Sequence, residues 1–187
     1  MIIGITGTDG SGKGTVVDYL VREKGVTHYS AREYITREIK RRELPVNRKN
    51  MRIVANDLRR VHGNDHIIRE YITKAKEAGI KDAVIESVRE RDAAVLIKRE
   101  GVLLATDADV HVRYDRIQSR ASESDAVSFE EFVAQEELEM RDPDPNGMQK
   151  RAVMEMADYT IQNNGTLEEL HEQIDEVFRK IEATSLS

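Results

Sequence analysis

Apolar runs of strand type and amphipathic helical stretches alternate along the whole chain, the pattern of a parallel sheet covered by helices on both faces. Short apolar runs predict strands at about Ile2–Thr6, Val26–Tyr29, Ala83–Ser87, Val102–Thr106 and Tyr159–Gln162. The segments between them predict helices over roughly 13–24, 31–42, 48–62, 64–78, 89–99, 110–121, 129–141, 147–157 and 167–182. The last helix carries the fullest local signal. Asn164-Gly165 makes a turn, Thr166 with Glu169 forms a capping box, and Leu167, Leu170, Ile174, Val177, Phe178 and Ile181 share one face. Pro45 separates two helices, and Asp142-Pro143-Asp144-Pro145-Asn146-Gly147 breaks another and offers a hinge. No internal repeat or low-complexity block interrupts the pattern, and the tail from Ala183 to Ser187 reads as frayed. The fold class this predicts is α/β, with helices on both sides of a five-stranded parallel sheet.

The junction of the first strand and first helix carries the candidate chemistry. Gly7-Thr8-Asp9-Gly10-Ser11-Gly12-Lys13-Gly14-Thr15 follows the apolar run Ile2 to Ile5 and opens a helical pattern. Glycines at these places let the backbone curl until successive N–H groups point inward as an anion nest, and the helix N-terminus adds its partial positive charge. Lys13 then reaches the outer phosphates, so the segment matches the phosphate-loop pattern up to the lysine. Many such loops place Ser or Thr directly after the lysine to ligate magnesium, whereas here Gly14 takes that place and Thr15 follows.

The order Gly12-Lys13-Gly14-Thr15 resembles the adenylate and cytidylate kinase branch of the P-loop nucleoside monophosphate kinases. The resemblance implies a three-layer α/β/α fold with strand order 2-3-1-4-5. It implies one domain over 1–187, with an acceptor-binding helical arm at about 30–78 and a lid at about 116–147 as insertions. It also implies ATP and magnesium, with the metal held between phosphates largely through water and Thr15 touching a phosphate or a metal water.

Composition narrows the class. A chain of 187 residues can bury roughly 70% of the surface its unfolded form exposes, so it needs no covalent staple. With no cysteine there is no disulfide framework, no thiolate zinc site and no cysteine nucleophile, which suits a reducing cytoplasm. Gly4, Thr6 and Gly7 cut the first apolar run short and no basic segment precedes it, so neither signal peptide nor membrane span is expected. A formal charge of −6 argues against a broad nucleic-acid surface. Basic runs such as Lys40-Arg41-Arg42 therefore read as solvated helix faces, and only arginines at motif positions count toward function.

Phosphoryl transfer needs alignment of donor and acceptor and neutralisation of spreading charge, so arginines should converge on the loop. Arg113-Tyr114-Asp115-Arg116-Ile117-Gln118-Ser119-Arg120 follows the fourth strand, with Arg116 and Arg120 one helical turn apart. It resembles the lid start of nucleoside monophosphate kinases, which implies a clamp on the nucleotide. Arg141 and Asp142 resemble the arginine and acidic residues that follow that lid. His28-Tyr29-Ser30-Ala31-Arg32-Glu33-Tyr34-Ile35-Thr36-Arg37 resembles the adenylate kinase segment that brings an arginine to the acceptor phosphate, with Ala31-Arg32-Glu33 in place of Thr-Gly-Asp and Arg37 one residue late. By the same resemblance Arg59 belongs to the acceptor arm and Arg89 faces a phosphate. Glu86 ends an apolar strand, where an ionised carboxylate needs a partner, either magnesium waters or Arg89. Asp9 resembles the thymidylate kinase loop, although Thr6 stands where that family keeps a glutamate. Ala157 to Thr166 forms a strand and tight turn that, in the kinases it resembles, packs beside the donor adenine. The five histidines show no metal spacing and none is needed as a base.

A phosphate acceptor attacks with an oxygen already anionic at pH 7 and needs arginines only; a hydroxyl acceptor gains from a carboxylate base. The arginine-rich pattern predicts a kinase that transfers phosphate from ATP to a nucleoside or deoxynucleoside monophosphate. Its partners are small-molecule nucleotides, and it acts as a monomer or homodimer. Two alternatives stay open. One is a dephospho-coenzyme A kinase, which shares the plan and the closing strand but commonly has Ser after the lysine. The other is a regulatory P-loop ATPase.

Overall fold

The computed structural model describes residues 1–119, 127–142 and 147–185. Its elements run β1 (Ile2–Gly7), α1 (Lys13–Lys24), β2 (Thr27–Ser30), α2 (Ala31–Arg41), α3 (Arg48–His62), α4 (His66–Glu77), β3 (Ala83–Glu86) and α5 (Arg91–Glu100). They continue with β4 (Gly101–Asp107), α6 (Val110–Ser119), α7 (Phe129–Met140), α8 (Lys150–Glu155), β5 (Tyr159–Gln162) and α9 (Leu167–Ser185). The five strands form one parallel sheet in the order β2-β3-β1-β4-β5. Each strand and helix expected from the periodicity is present, with boundaries differing by a few residues.

Alternation along β1 explains the layers. Ile3 and Ile5 join one core with Val16, Leu20, Leu104, Ile161, Ile174 and Ile181, which seats α1 and α9 on that face. Ile2 joins the other core with Ile39, Ile85, Ile97, Leu103 and Val153, which seats α2, α5 and α8. Gly4 lets α5 approach: a Cβ there would lie 2.7 Å from Ile97 Cγ2. Both faces are covered, so the central strands β1, β3 and β4 are largely apolar along their length, as a buried parallel sheet requires, while the edge strands β2 and β5 carry polar residues.

Register brings the chemistry to one edge. Ser30 pairs with Glu86, Ile5 with Glu86, Gly7 with Thr106 and Asp107 with Gln162, so the carboxyl ends of all five strands open on the same crevice. The chain bends sharply after β3, where Ser87 adopts φ 68. A left-handed non-glycine residue costs on the order of 1 kcal/mol and is held only by its surroundings. Here the Val88 amide donates to the Ile5 carbonyl at 3.0 Å, which turns Arg89 toward the end of β1.

Candidate functional site

The loop after β1 curls on left-handed glycines, with the Thr8 and Ser11 amides donated to the Thr106 and Thr8 carbonyls at 3.3 and 3.4 Å. Gly7, Gly10 and Gly12 have φ of 137, 81 and 94, and Gly12 is the left-handed N-cap of α1 with no side-chain cap. The first-turn amides of α1 therefore remain available, as the amides of a helix start have no intrahelical acceptor. The side chains of Thr8 and Ser11 point into the protein. Thr8 Oγ1 donates to Asp107 Oδ1 at 2.7 Å, while Ser11 Oγ donates to the Thr8 carbonyl at 2.8 Å and pairs with Thr106 Oγ1 at 2.8 Å. What the loop presents outward is backbone, Lys13 and the exposed Gly14 and Thr15.

Lys13 Nζ donates to the carbonyls of Gly7 at 3.1 Å and Thr8 at 2.6 Å, and lies 3.8 Å from Asp9 Oδ1. Burial, with Arg89 and Lys150 close by, lowers its ammonium to about 8 against the pull of Asp9 and Glu139. Asp9 experiences the converse. Burial works to raise its carboxyl, but Lys150, Lys13 and Arg89 override it and hold it well below the usual carboxylate range.

Arg89 lies at the turn after β3, where Nη1 reaches the Met148 sulfur at 3.3 Å. Among the described residues no carboxylate comes within ion-pair distance of it, although its charge is felt by Asp9, Lys13 and Glu90. Glu86 is not bound to Arg89. Ser30 Oγ donates to its Oε1 at 2.6 Å, and His28 Nε2 lies 3.6 Å from its Oε2. Beside His28, and with the Ser30 hydrogen bond, its carboxyl is lowered despite partial burial, and His28 is raised by the same contact.

The other arginines expected at the site are placed differently from one another. Arg116 Nη1 donates to the Asn163 carbonyl at 2.8 Å, on the turn after β5. Asn163 Nδ2 in turn donates to the Ser11 carbonyl at 2.8 Å, tying that turn to the loop. Arg59 is buried in an ion pair with Glu90, 2.5 Å from Oε1, so its charge is committed inside the fold. Arg37 Nη2 donates to Tyr71 Oη at 3.3 Å, and Tyr71 Oη donates to the Ser30 carbonyl at 2.8 Å, which sets Arg37 on α2 near the end of β2. Arg141 ends α7, is largely exposed, and lies 3.9 Å from Glu137. Arg120 lies outside the described residues, as do Pro143 to Asn146 of the expected hinge.

Sequence reasoning assigned no role to Lys150, Arg113 or His28, all of which reach the site. Lys150 is 1% exposed and its Nζ is 3.1 Å from Asp9 Oδ2; Arg113 Nη1 donates to the Asp9 carbonyl at 3.2 Å. Arg113 lies within α6, Lys150 opens α8 beside Arg151, and His28 lies on β2, and no local pattern separates such a basic residue from a solvated one. For magnesium, the hydroxyl of Thr15 and the carboxylate of Glu86 are hard oxygen donors that fit an ion held chiefly by phosphate and water. Among the described residues no group of three His, Asp or Glu side chains forms a metal cage. A cavity of about 640 Å³ elsewhere, along α9, is lined by Glu169, Glu172, Asp175 and Glu176, whose charge would repel phosphates. No helix among the described residues is long and apolar enough to cross a membrane.

Residues 6–133 match the family model described as an AAA domain. A UPF0200 protein of Pyrococcus horikoshii is 30% identical, with the alignment covering 97% of both chains. A UPF0200 protein of Thermococcus onnurineus is 28% identical over 97% of this chain and 98% of its own. The UPF0200/UPF0201 protein of Archaeoglobus fulgidus is 29% identical, and this chain spans only 55% of its length. Among solved structures, TT1252 from Thermus thermophilus superposes with a TM-score of 0.60 at 25% identity, covering 97% of each chain. Shikimate kinase from Aquifex aeolicus superposes with a TM-score of 0.59 at 17% identity over 100% of this chain and 99% of its own, a likeness of fold. The chain belongs to the UPF0200 family and folds as a P-loop kinase-like domain.

Proposed function

We propose that the protein transfers the terminal phosphoryl group of ATP to a nucleoside or deoxynucleoside monophosphate. The observation that carries this reading is the placement near Lys13 of Arg89, a guanidinium with no carboxylate partner among the described residues, at the neighbouring ends of β1 and β3. The loop amides and Lys13 would receive the terminal phosphates of ATP, and Thr15 would help to hold a magnesium ion, which would supply charge neutralisation there. Arg89 meets the acceptor phosphate, with Arg37 beyond it in the arm. An oxygen of the acceptor phosphate forms the new P–O bond as the bond from the γ-phosphorus to the β-phosphate bridging oxygen breaks, and ADP leaves with that electron pair.

Two carboxylates bear on the choice of acceptor. A hydroxyl acceptor gains from a base whose pKa lies near the working pH. Asp9 and Glu86 are both held below their ordinary range, which makes each a poor proton acceptor. An acceptor that brings its own anionic oxygen has no such need, and the cationic cluster supplies what it requires.

The test is a coupled assay of purified protein with ATP, magnesium and a panel of nucleoside monophosphates, with dephospho-coenzyme A in parallel. Turnover with one or more monophosphates is the expected result. Turnover with dephospho-coenzyme A alone would move the acceptor to a hydroxyl, and steady hydrolysis of ATP without any acceptor would make the protein a P-loop ATPase.

A further inference from the structure

Helix α7 touches the phosphate loop through two buried cations that meet at one residue. Glu136 and Glu139 lie three positions apart on α7, on neighbouring turns. Glu136 takes the guanidinium of Arg113, with Nη2 at 2.9 Å, while Arg113 Nη1 reaches the Asp9 carbonyl at 3.2 Å and Nε reaches the Ala108 carbonyl at 2.8 Å. Glu139 takes the ammonium of Lys150, whose other carboxylate is Asp9, with Oδ2 at 3.1 Å. The remaining oxygen of Asp9 faces Lys13 at 3.8 Å. Arg113 and Lys150 are 6% and 1% exposed, so neither ion pair is a surface contact.

A fully buried lysine is a poor device for stability alone. Its desolvation cost can exceed its Coulombic gain, and apolar residues of similar volume often serve as well or better. What an ammonium does here that a methylene chain could not is hold the Asp9 carboxylate away from Lys13. Lys13, Lys150, Arg113 and Arg89 set four cations against the three carboxylates Asp9, Glu136 and Glu139, a balance of one positive charge beside the loop. A phosphate reaching Lys13 competes with Asp9 for it. Asp9 then leans more on Lys150, and through Glu139 on α7.

We infer that Lys150 and Arg113 are positioning residues that couple helix α7 to the phosphate loop through Asp9, so that the position of α7 and occupancy of the loop by a nucleotide bias one another. The inference rests on the reading of the loop as the ATP site. Coupling of this kind is reciprocal: a nucleotide that loosens Lys13 from Asp9 tightens α7, and a change on α7 alters nucleotide affinity by the same factor.

The experiment compares wild type with Lys150→Met and Glu139→Gln, using amide hydrogen exchange without ligand and titration calorimetry with magnesium-ATP. Each variant is expected to exchange at least threefold faster in residues 8–12 as well as in 129–140, and to bind magnesium-ATP at least threefold more weakly. Adding Asp9→Asn to Lys150→Met is expected to cost no further affinity, because both act on one contact. Faster exchange confined to α8 and α5, with residues 8–12 unchanged, would make Lys150 merely a packing residue and overturn the inference. Should Lys150→Met fail to fold, Glu139→Gln carries the same test, since it removes charge without changing volume. A wild type that binds no magnesium-ATP would remove the proposed function, while the exchange pattern in the unliganded protein would still decide whether α7 and the loop are coupled.

Discussion

Lys13 and the glycines around it act by contrasting means, and each can be tested alone. Lys13→Ala should lower phosphoryl transfer by more than about 100-fold while leaving the melting temperature within a few degrees, because it removes charge aimed at the transition state. In the free protein its ammonium is lowered, chiefly by burial, to about 8. Binding ATP needs the protonated form, so affinity should be flat below that pH and fall as pH rises through it, by about fivefold between pH 8 and 9 in a calorimetric titration. The glycines differ in what surrounds them. At Gly10, with φ 81, a Cβ would lie 2.6 Å from the Arg113 carbonyl oxygen, a backbone atom that cannot rotate aside. Gly10→Ala should therefore destabilise by about 1–3 kcal/mol in chemical denaturation. Gly14 meets nothing within 4 Å, so Gly14→Ala should be neutral or slightly stabilising, and any loss of ATP affinity it causes would report crowding of the phosphates rather than of the fold.

Helix ends and helix contacts decide how the loop is presented. α2 is capped by Ser30, which accepts from the Glu33 amide at 3.3 Å while its hydroxyl donates to Glu86, so one residue starts the helix after β2 and holds a carboxylate at the strand end. α3 is tied to the N-terminus of α5 by Arg59 and Glu90, both buried. Burial raises the Glu90 carboxyl, opposed by Arg59 and Arg89. Because the folded pKa lies above the unfolded one, stability from this group is full below about 4.5 and is lost as pH rises toward the folded value. Arg59→Met should cost about 3–5 kcal/mol at pH 7, since it leaves a buried carboxylate unpaired. The deficit should shrink when the denaturation is repeated at pH 5; a deficit independent of pH would mean that Arg59 contributes packing, not charge.

The whole molecule places its working groups at the carboxyl edge of the sheet, on either side of β1, and a ligand there should stabilise the entire domain. With magnesium-ATP at 100 times its dissociation constant, the gain should be about 2.7 kcal/mol, seen as a rise of several degrees in the thermal midpoint. That rise should be absent in Lys13→Ala. The sequence by itself determined the elements of this fold, because each is written in local terms. Short apolar runs set the strands and period-3.6 apolar spacing set the helices. Thr166 with Glu169 started α9 through bonds of 2.8 and 3.2 Å, and glycines at positions 7, 10 and 12 fixed the curl of the loop. Only the tertiary structure decided which charges face the site. Arg113 meets Asp9 across 104 positions and Asn163 meets Ser11 across 152, and no local pattern records such a pairing. Arg59, legible as an acceptor-arm arginine, is instead spent on Glu90, and Lys150, one basic residue among 29, is buried against the loop. The physical reason is that periodicity reports which side of an element is apolar, whereas an ion pair depends on where two distant elements bring their side chains together in a space too dry to leave a charge alone.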